Sequence, residues 1–209
     1  NMDIKIIDNF LEDEDFNELS SIKLKDIKKN EIFIHHNKIS GEKIIENTCL
    51  NKKLLTRLNK NYHKKTLKLL EDFNIKKVNL YEFSEFHIIQ TGKDYKFPIH
   101  DDTPDKLLSG VIYLTPKNNY GTIFYENKKG DGKKEVTWKQ NRAVFFSRTE
   151  RKTWHSFQGD GISNRVALVY NLKTSNIKGV YDAESGNYFL GRLRYKINPY
   201  LLRFFNFTI

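Results

Sequence analysis

The chain has 209 residues, of which 38% are hydrophobic and 30% charged, and carries a net charge of +10. This balance excludes wholesale disorder and is enough for a sizeable core. No apolar run approaches the roughly 20 residues that span a bilayer, no leader-like apolar stretch opens the chain, and the lone Cys49 excludes a disulfide framework and Cys-rich zinc modules. These features predict a reducing, cytoplasmic setting, while the positive charge favours anionic ligands without naming one.

In chain order, residues 4–7 read as a short strand, and Asp8 or Asn9 is placed to cap a helix with Phe10, Leu11, Phe16 and Leu19 on one face. Over residues 31–45, β-branched density and the Ser40-Gly41 turn predict two strands. Leu50, Leu54, Leu55, Leu58, Tyr62 and Leu70 then keep a helical spacing with lysines between them. Beyond Val78 the period shortens towards two. Strands are predicted over 78–89, 108–115, 121–126, 135–138, 143–146, 153–157 and 165–172, with turn signals at Asn118-Asn119, Lys129-Gly130-Asp131-Gly132 and Gly159-Asp160-Gly161. Such spacing predicts a mostly β sandwich or barrel, organised as one domain: mainly supporting helices in 1–75, a β core in 76–172 and an extension in 173–209. In that extension residues 192–197 alternate as a strand would, and Asn198-Pro199 forms an N-cap and first-turn pair for a short helix. Packing on the barrel is expected of it. The sharper alternative is a basic, aromatic interfacial segment or dimer contact, of marginal length for membrane binding alone.

The histidines differ in their surroundings. His35 and His36 read as surface or turn residues, and His63 as a solvated position on the long helix. His100 lies in Phe97-Pro98-Ile99-His100-Asp101-Asp102. On extended backbone, residues two apart share a face, so His100 and Asp102 aim an imidazole and a carboxylate at one point while Asp101 points away. His155 sits in a second strand-like stretch, and Arg165, ten residues on, opens an apolar strand where an unpaired guanidinium needs an anion. Two imidazoles and one carboxylate with open positions make the facial triad of non-haem Fe(II) oxygenases. An arginine on a neighbouring strand can clamp a dicarboxylic cosubstrate.

This pattern resembles the 2-oxoglutarate- and Fe(II)-dependent dioxygenase superfamily, specifically its prolyl 4-hydroxylase-like branch, and the resemblance runs from Ile4 to Leu172. Tyr113 falls where that branch carries a strand tyrosine that reaches a cosubstrate carboxylate. Gly121-Thr122 with Phe124 is similar to its Gly-x-Thr-x-Phe segment, and residues 141–146 to the strand before the distal histidine. Gln90 stands where many prolyl hydroxylases have a tyrosine. The resemblance implies a double-stranded β-helix, or jelly roll, with N-terminal supporting helices. It implies Fe(II) held by His100, Asp102 and His155, and 2-oxoglutarate held by Arg165 with Tyr113, Gln90 and Thr122 as further contacts. O2 takes the last position and ascorbate is an optional reductant. The implied reaction is hydroxylation of an aliphatic carbon, expected on a prolyl residue of a peptide or protein. Alternatives are a small-molecule hydroxylase acting on an amino acid or sugar, a nucleic-acid demethylase, and a silent jelly-roll module in which Arg165 pairs with Asp102. The demethylase is disfavoured because Asn171 occupies the position of that group's second arginine.

Overall fold

The computed structural model describes residues 2–205 and 207–209. Its longest element is helix α2 (Lys52–Asn74), capped by the Asn51 side chain, which accepts from Leu54 N. One face of α2 buries Leu54, Leu55, Leu58, Tyr62 and Leu70, and its lysines stay outside. That face lies on a large sheet whose strands run in the order β1 (Lys5–Ile7), β10 (Ala143–Phe146), β7 (Lys106–Thr115), β12 (Arg165–Lys173), β5 (Phe83–Thr91), β3 (Lys38–Ser40), β4 (Lys43–Glu46), with β2 (Ile32–His35) also paired to β5. A smaller antiparallel sheet is ordered β6 (Lys96–His100), β11 (His155–Gln158), β8 (Ile123–Phe124), β9 (Lys134–Glu135). The two sheets form the jelly roll.

Strand parity divides the interior in two. Phe86, Ile88, Leu168, Tyr170 and Leu172 face the helices, where the Tyr170 hydroxyl lies 2.9 Å from Thr66 Oγ1 and the ring stacks on Phe86. The alternate residues face the space between the sheets, where Tyr113, Phe124, Val136, Trp138, Val144 and Phe146 form a second cluster. Gly121 enters that space so tightly that a Cβ there would stand 1.7 Å from the Val136 carbonyl oxygen, so no larger residue fits without moving the Val136 backbone.

Several expected elements differ. Helix α1 (Asp13–Ser20) begins later than expected, because Asn9 adopts a left-handed φ of 50° and Asp8 binds Arg142 and Lys139 instead of capping. Phe10 and Leu11 are therefore core residues of a loop, and Leu11 is pinned by Asn141, whose side chain bonds both its N–H and its carbonyl. Residues 31–45 hold three strands, and with β1 they make the 1–75 region part of the large sheet as well as its helical support. Val78 and Leu80 lie in a 3-10 turn, Ile75–Leu80, ahead of β5. Beyond helix α3 (Ile177–Ala183), residues 188–205 form one helix, α4 (Tyr188–Phe205), with Pro199 inside it. Alternation over six residues cannot make a strand without a free sheet edge. Pro199 removes one intrahelical donor and crowds the carbonyl of Tyr195, yet the helix continues through it.

Candidate metal and cosubstrate site

His100 ends β6 and His155 opens β11, and the antiparallel register places them directly opposite, with ring centroids 4.2 Å apart. Asp102 Oδ1 lies 3.9 Å from Nε2 of each imidazole. One ligand atom from each of the three residues lies within 4.8 Å of the others, and among the described residues this is the only such cluster. Both rings are oriented from behind. Nδ1 of His100 is 3.0 Å from the Pro98 carbonyl and Nδ1 of His155 is 2.8 Å from the Thr153 carbonyl. A carbonyl only accepts, so each Nδ1 carries the proton and each Nε2 presents its lone pair to the shared point.

Burial favours neutral rings: it pushes His100 down to about 3, with His155 adding to the effect, and it lowers His155 too. Burial opposes the Asp102 charge, but Lys106, His155 and His100 outweigh it and hold the carboxyl far below the usual range. Three residues that sequence spacing did not single out complete this environment. Lys106 Nζ donates to Asp102 Oδ1 at 2.6 Å, and Ser109 Oγ donates to Oδ2 at 2.5 Å. Arg148 Nε donates to the Asp102 carbonyl at 2.7 Å. Asp101 does turn away, accepting from Arg151 N at 2.6 Å and Thr153 Oγ1 at 2.5 Å, and burial raises its carboxyl to about 6. The arrangement is a neutral–neutral–anionic donor set fit for a divalent cation.

Arg165 opens β12 and is 4% exposed. Its Nη1 donates to the Tyr120 carbonyl at 2.9 Å, while Nε is buried without a partner. No carboxylate pairs with this guanidinium among the described residues, and burial lowers it to about 10. Its central carbon lies 5.2 Å from the Trp138 ring centroid and 5.0 Å from that of Phe157. Tyr113 stacks on the same Trp138 at 4.4 Å; its hydroxyl accepts from Thr122 N and donates to Thr122 Oγ1. An uncompensated, largely desolvated cation lined by aromatic rings is a receptor for a carboxylate.

Gln90 does not join this group. Arg165 is registered with Thr91, so Thr91 shares its face and Gln90 takes the other. There the Gln90 amide donates to the Lys25 carbonyl and its oxygen lies 2.7 Å from His35 Nε2. His35 is thus a packed strand residue. His63 is half-buried against Tyr81, with a buried Nδ1 that has no partner, rather than solvated. Asn171 donates to Glu85 at 3.0 Å on the interior face.

A cavity of about 240 Å³ opens beside His100 and Asp102, walled by Pro104, Trp154, Tyr181 and, from α4, Tyr195, Pro199 and Leu202. No protein-family model and no curated protein matches the chain. Solved structures do. A prolyl-4-hydroxylase from Pseudomonas putida superposes with a TM-score of 0.57 at 12% identity, over 84% of this chain and 95% of that one. A 2OG-Fe(II) oxygenase family oxidoreductase from Burkholderia pseudomallei gives 0.56 at 14% identity, over 81% and 84%. A Trichoplax adhaerens prolyl hydroxylase, solved with a hypoxia inducible factor oxygen degradation domain peptide fragment, gives 0.54 at 14% identity, over 85% and 86%. The chain has the fold of the 2-oxoglutarate and Fe(II) oxygenases.

Proposed function

We propose that the protein is an Fe(II)- and 2-oxoglutarate-dependent dioxygenase that hydroxylates an aliphatic carbon, with a prolyl residue of a peptide or protein as substrate. The observation that carries the reading is the pairing of one donor set with one anion receptor. His100, Asp102 and His155 converge on a point, and the buried Arg165 has an orphan N–H in the same barrel. A structural module would leave that guanidinium costly and without purpose, and Asp102, held by Lys106 and Ser109, is not its partner.

The residues present fit the groups this fold holds. His100, Asp102 and His155 would hold the iron, and Arg165, with the Tyr113–Thr122 pair beside it, would hold the distal carboxylate of 2-oxoglutarate. Bound together, the two supply oxidative decarboxylation coupled to insertion of one oxygen atom into a C–H bond. The chain's own part is orientation. The Pro98 and Thr153 carbonyls fix the imidazole tautomers, Ser109 fixes the carboxylate, and Phe124, Phe146 and Phe157 keep water from the interior. The apolar, aromatic walls and modest volume of the cavity suit a single prolyl ring. Its partial closure by α4 equally favours a small free molecule, which is the second reading.

Succinate release from 2-oxoglutarate, dependent on added Fe(II), tests the reaction. Arg165→Ala should weaken 2-oxoglutarate binding by roughly 10²-fold or more while leaving Mn(II) affinity unchanged. Unaltered 2-oxoglutarate affinity in that variant would overturn the assignment. Single-proline peptides should stimulate succinate release and gain one oxygen by mass. If a free amino acid or sugar does so and the peptides do not, the small-molecule reading takes their place.

A further inference from the structure

Helix α4 uses only one side of itself within the fold. Gly191 lies against Tyr181 so closely that a Cβ would stand 2.1 Å from its ring, Arg194 reaches Glu150 at 3.3 Å, and Tyr195 and Leu202 wall the metal-site cavity. At 100° per residue these positions share one face. The opposite face is exposed. It presents Phe189, Leu193, Tyr200 and Phe204, which are 82%, 52%, 67% and 66% exposed. These four recur at i, i+4, i+11 and i+15 and so form one stripe. Arg192, Lys196 and Arg203 recur at i, i+4 and i+11, forming a second stripe along one border of the first.

We propose that this face of α4 docks the protein on an anionic lipid surface, with the helix axis in the plane of the interface. Charge complementarity selects the occupant. No Asp or Glu occurs between Tyr188 and Ile209, whereas four Lys or Arg do, and the whole chain carries +10. The lysine-bearing loop at 127–134 adds to this field, because Lys128 bonds the Thr208 carbonyl beside α4. Aromatic and leucyl side chains bordered by cations match the acyl–headgroup boundary, where the rings enter the hydrocarbon edge and the cations meet phosphates. A second copy of the chain would instead oppose like-charged stripes with no carboxylate between them. The helix is too short and too charged to span a bilayer, so docking is peripheral.

Co-sedimentation of the full chain with vesicles tests the proposal without recourse to catalysis. Vesicles containing phosphatidylglycerol should bind the protein, pure phosphatidylcholine vesicles should not, and added salt should release it. Arg192→Gln/Lys196→Gln/Arg203→Gln should lower partitioning by roughly 10²-fold, at about fivefold per cation removed. Leu193→Ser/Phe204→Ser should lower it comparably. All five side chains are exposed, so unchanged circular dichroism and thermal midpoints are expected of both variants. Absence of binding to phosphatidylglycerol vesicles at low salt would overturn the proposal, as would full binding by both variants. So would a dimer in light scattering that both variants dissociate while no vesicle binding is seen.

Discussion

Asp102 binds two neighbours with its two oxygens, and the geometry assigns them different work. Ser109 on Oδ2 fixes the carboxylate plane, whereas Lys106 on Oδ1 places a cation on the oxygen that faces both imidazoles. Lys106 therefore competes with a divalent ion for that oxygen, and Lys106→Met should raise Co(II) or Mn(II) affinity by roughly 10-fold in calorimetric titration. A comparable loss would mean that the ammonium positions Asp102 instead. Asp101 and Asp102 are adjacent in sequence and opposite in direction. Asp102→Ala should abolish Mn(II) binding at micromolar concentrations, while Asp101→Ala should change it only a few-fold, since Asp101 ties the loop through Arg151 N and Thr153. Retention of metal by Asp102→Ala together with its loss in Asp101→Ala would reverse the strand register.

At the level of elements, a buried ionic cluster joins three parts of the chain around the site. Glu184, just past α3, accepts from Lys77 of the 3-10 turn at 2.8 Å and from Arg148 beyond β10 at 2.9 Å, and all three side chains are at most 3% exposed. Arg148 in turn holds the Asp102 carbonyl, so the docking of α3 and the position of Asp102 share one guanidinium. Burial pushes the Lys77 amine down despite Glu184 beside it, which marks the cluster as costly if incomplete. Glu184→Ala leaves two cations buried and should destabilise by about 3–5 kcal/mol, lowering the thermal midpoint by on the order of 10 °C. Glu184→Gln should recover part of this by keeping the hydrogen bonds. A change of less than about 1 kcal/mol in the alanine variant would show that the cluster does not clamp these elements.

Across the whole molecule, the space between the sheets is apolar on the β10 side and ionic near β5 and β12. Glu85 lies 3.4 Å from His87 Nε2 and 3.4 Å from Lys173 Nζ and accepts from Asn171. Burial raises its carboxyl, but His87, Lys173 and Asn171 outweigh burial and bring it to about 2 from an ordinary 4.5. A carboxyl depressed in the folded state binds its proton more tightly when unfolded. Its contribution is complete above about 4.5 and is lost as pH falls towards 2. The contribution is about 3 kcal/mol. Urea titrations across that window should give a steep acid limb for the native chain and a shallower one for Glu85→Gln. Parallel limbs would exclude Glu85 as a determinant of acid stability.

Short-range periodicity by itself determined most of the β framework, since a side-chain period of two is written locally in residues such as those of β7, β10 and β12. It also determined that His100 and Asp102 share a face that Asp101 does not. Parity, however, is fixed only up to a choice of face. Gln90 lies one residue from Thr91, and only the pairing of β5 with β12 decided that Thr91 faces the Arg165 side and Gln90 the helices. Lys106, Ser109 and Arg148 reach Asp102 from a turn, a strand and a loop that no spacing rule links. The tail shows the same limit from the opposite direction. Alternation at 192–197 and the Asn198-Pro199 pair read as strand and helix start, yet residues 188–205 form one helix. Packing of Gly191 on Tyr181 decided for one helix over the cavity beside His100 and Asp102. Local sequence sets which side chains can share a face; long-range pairing and packing choose which face is inside.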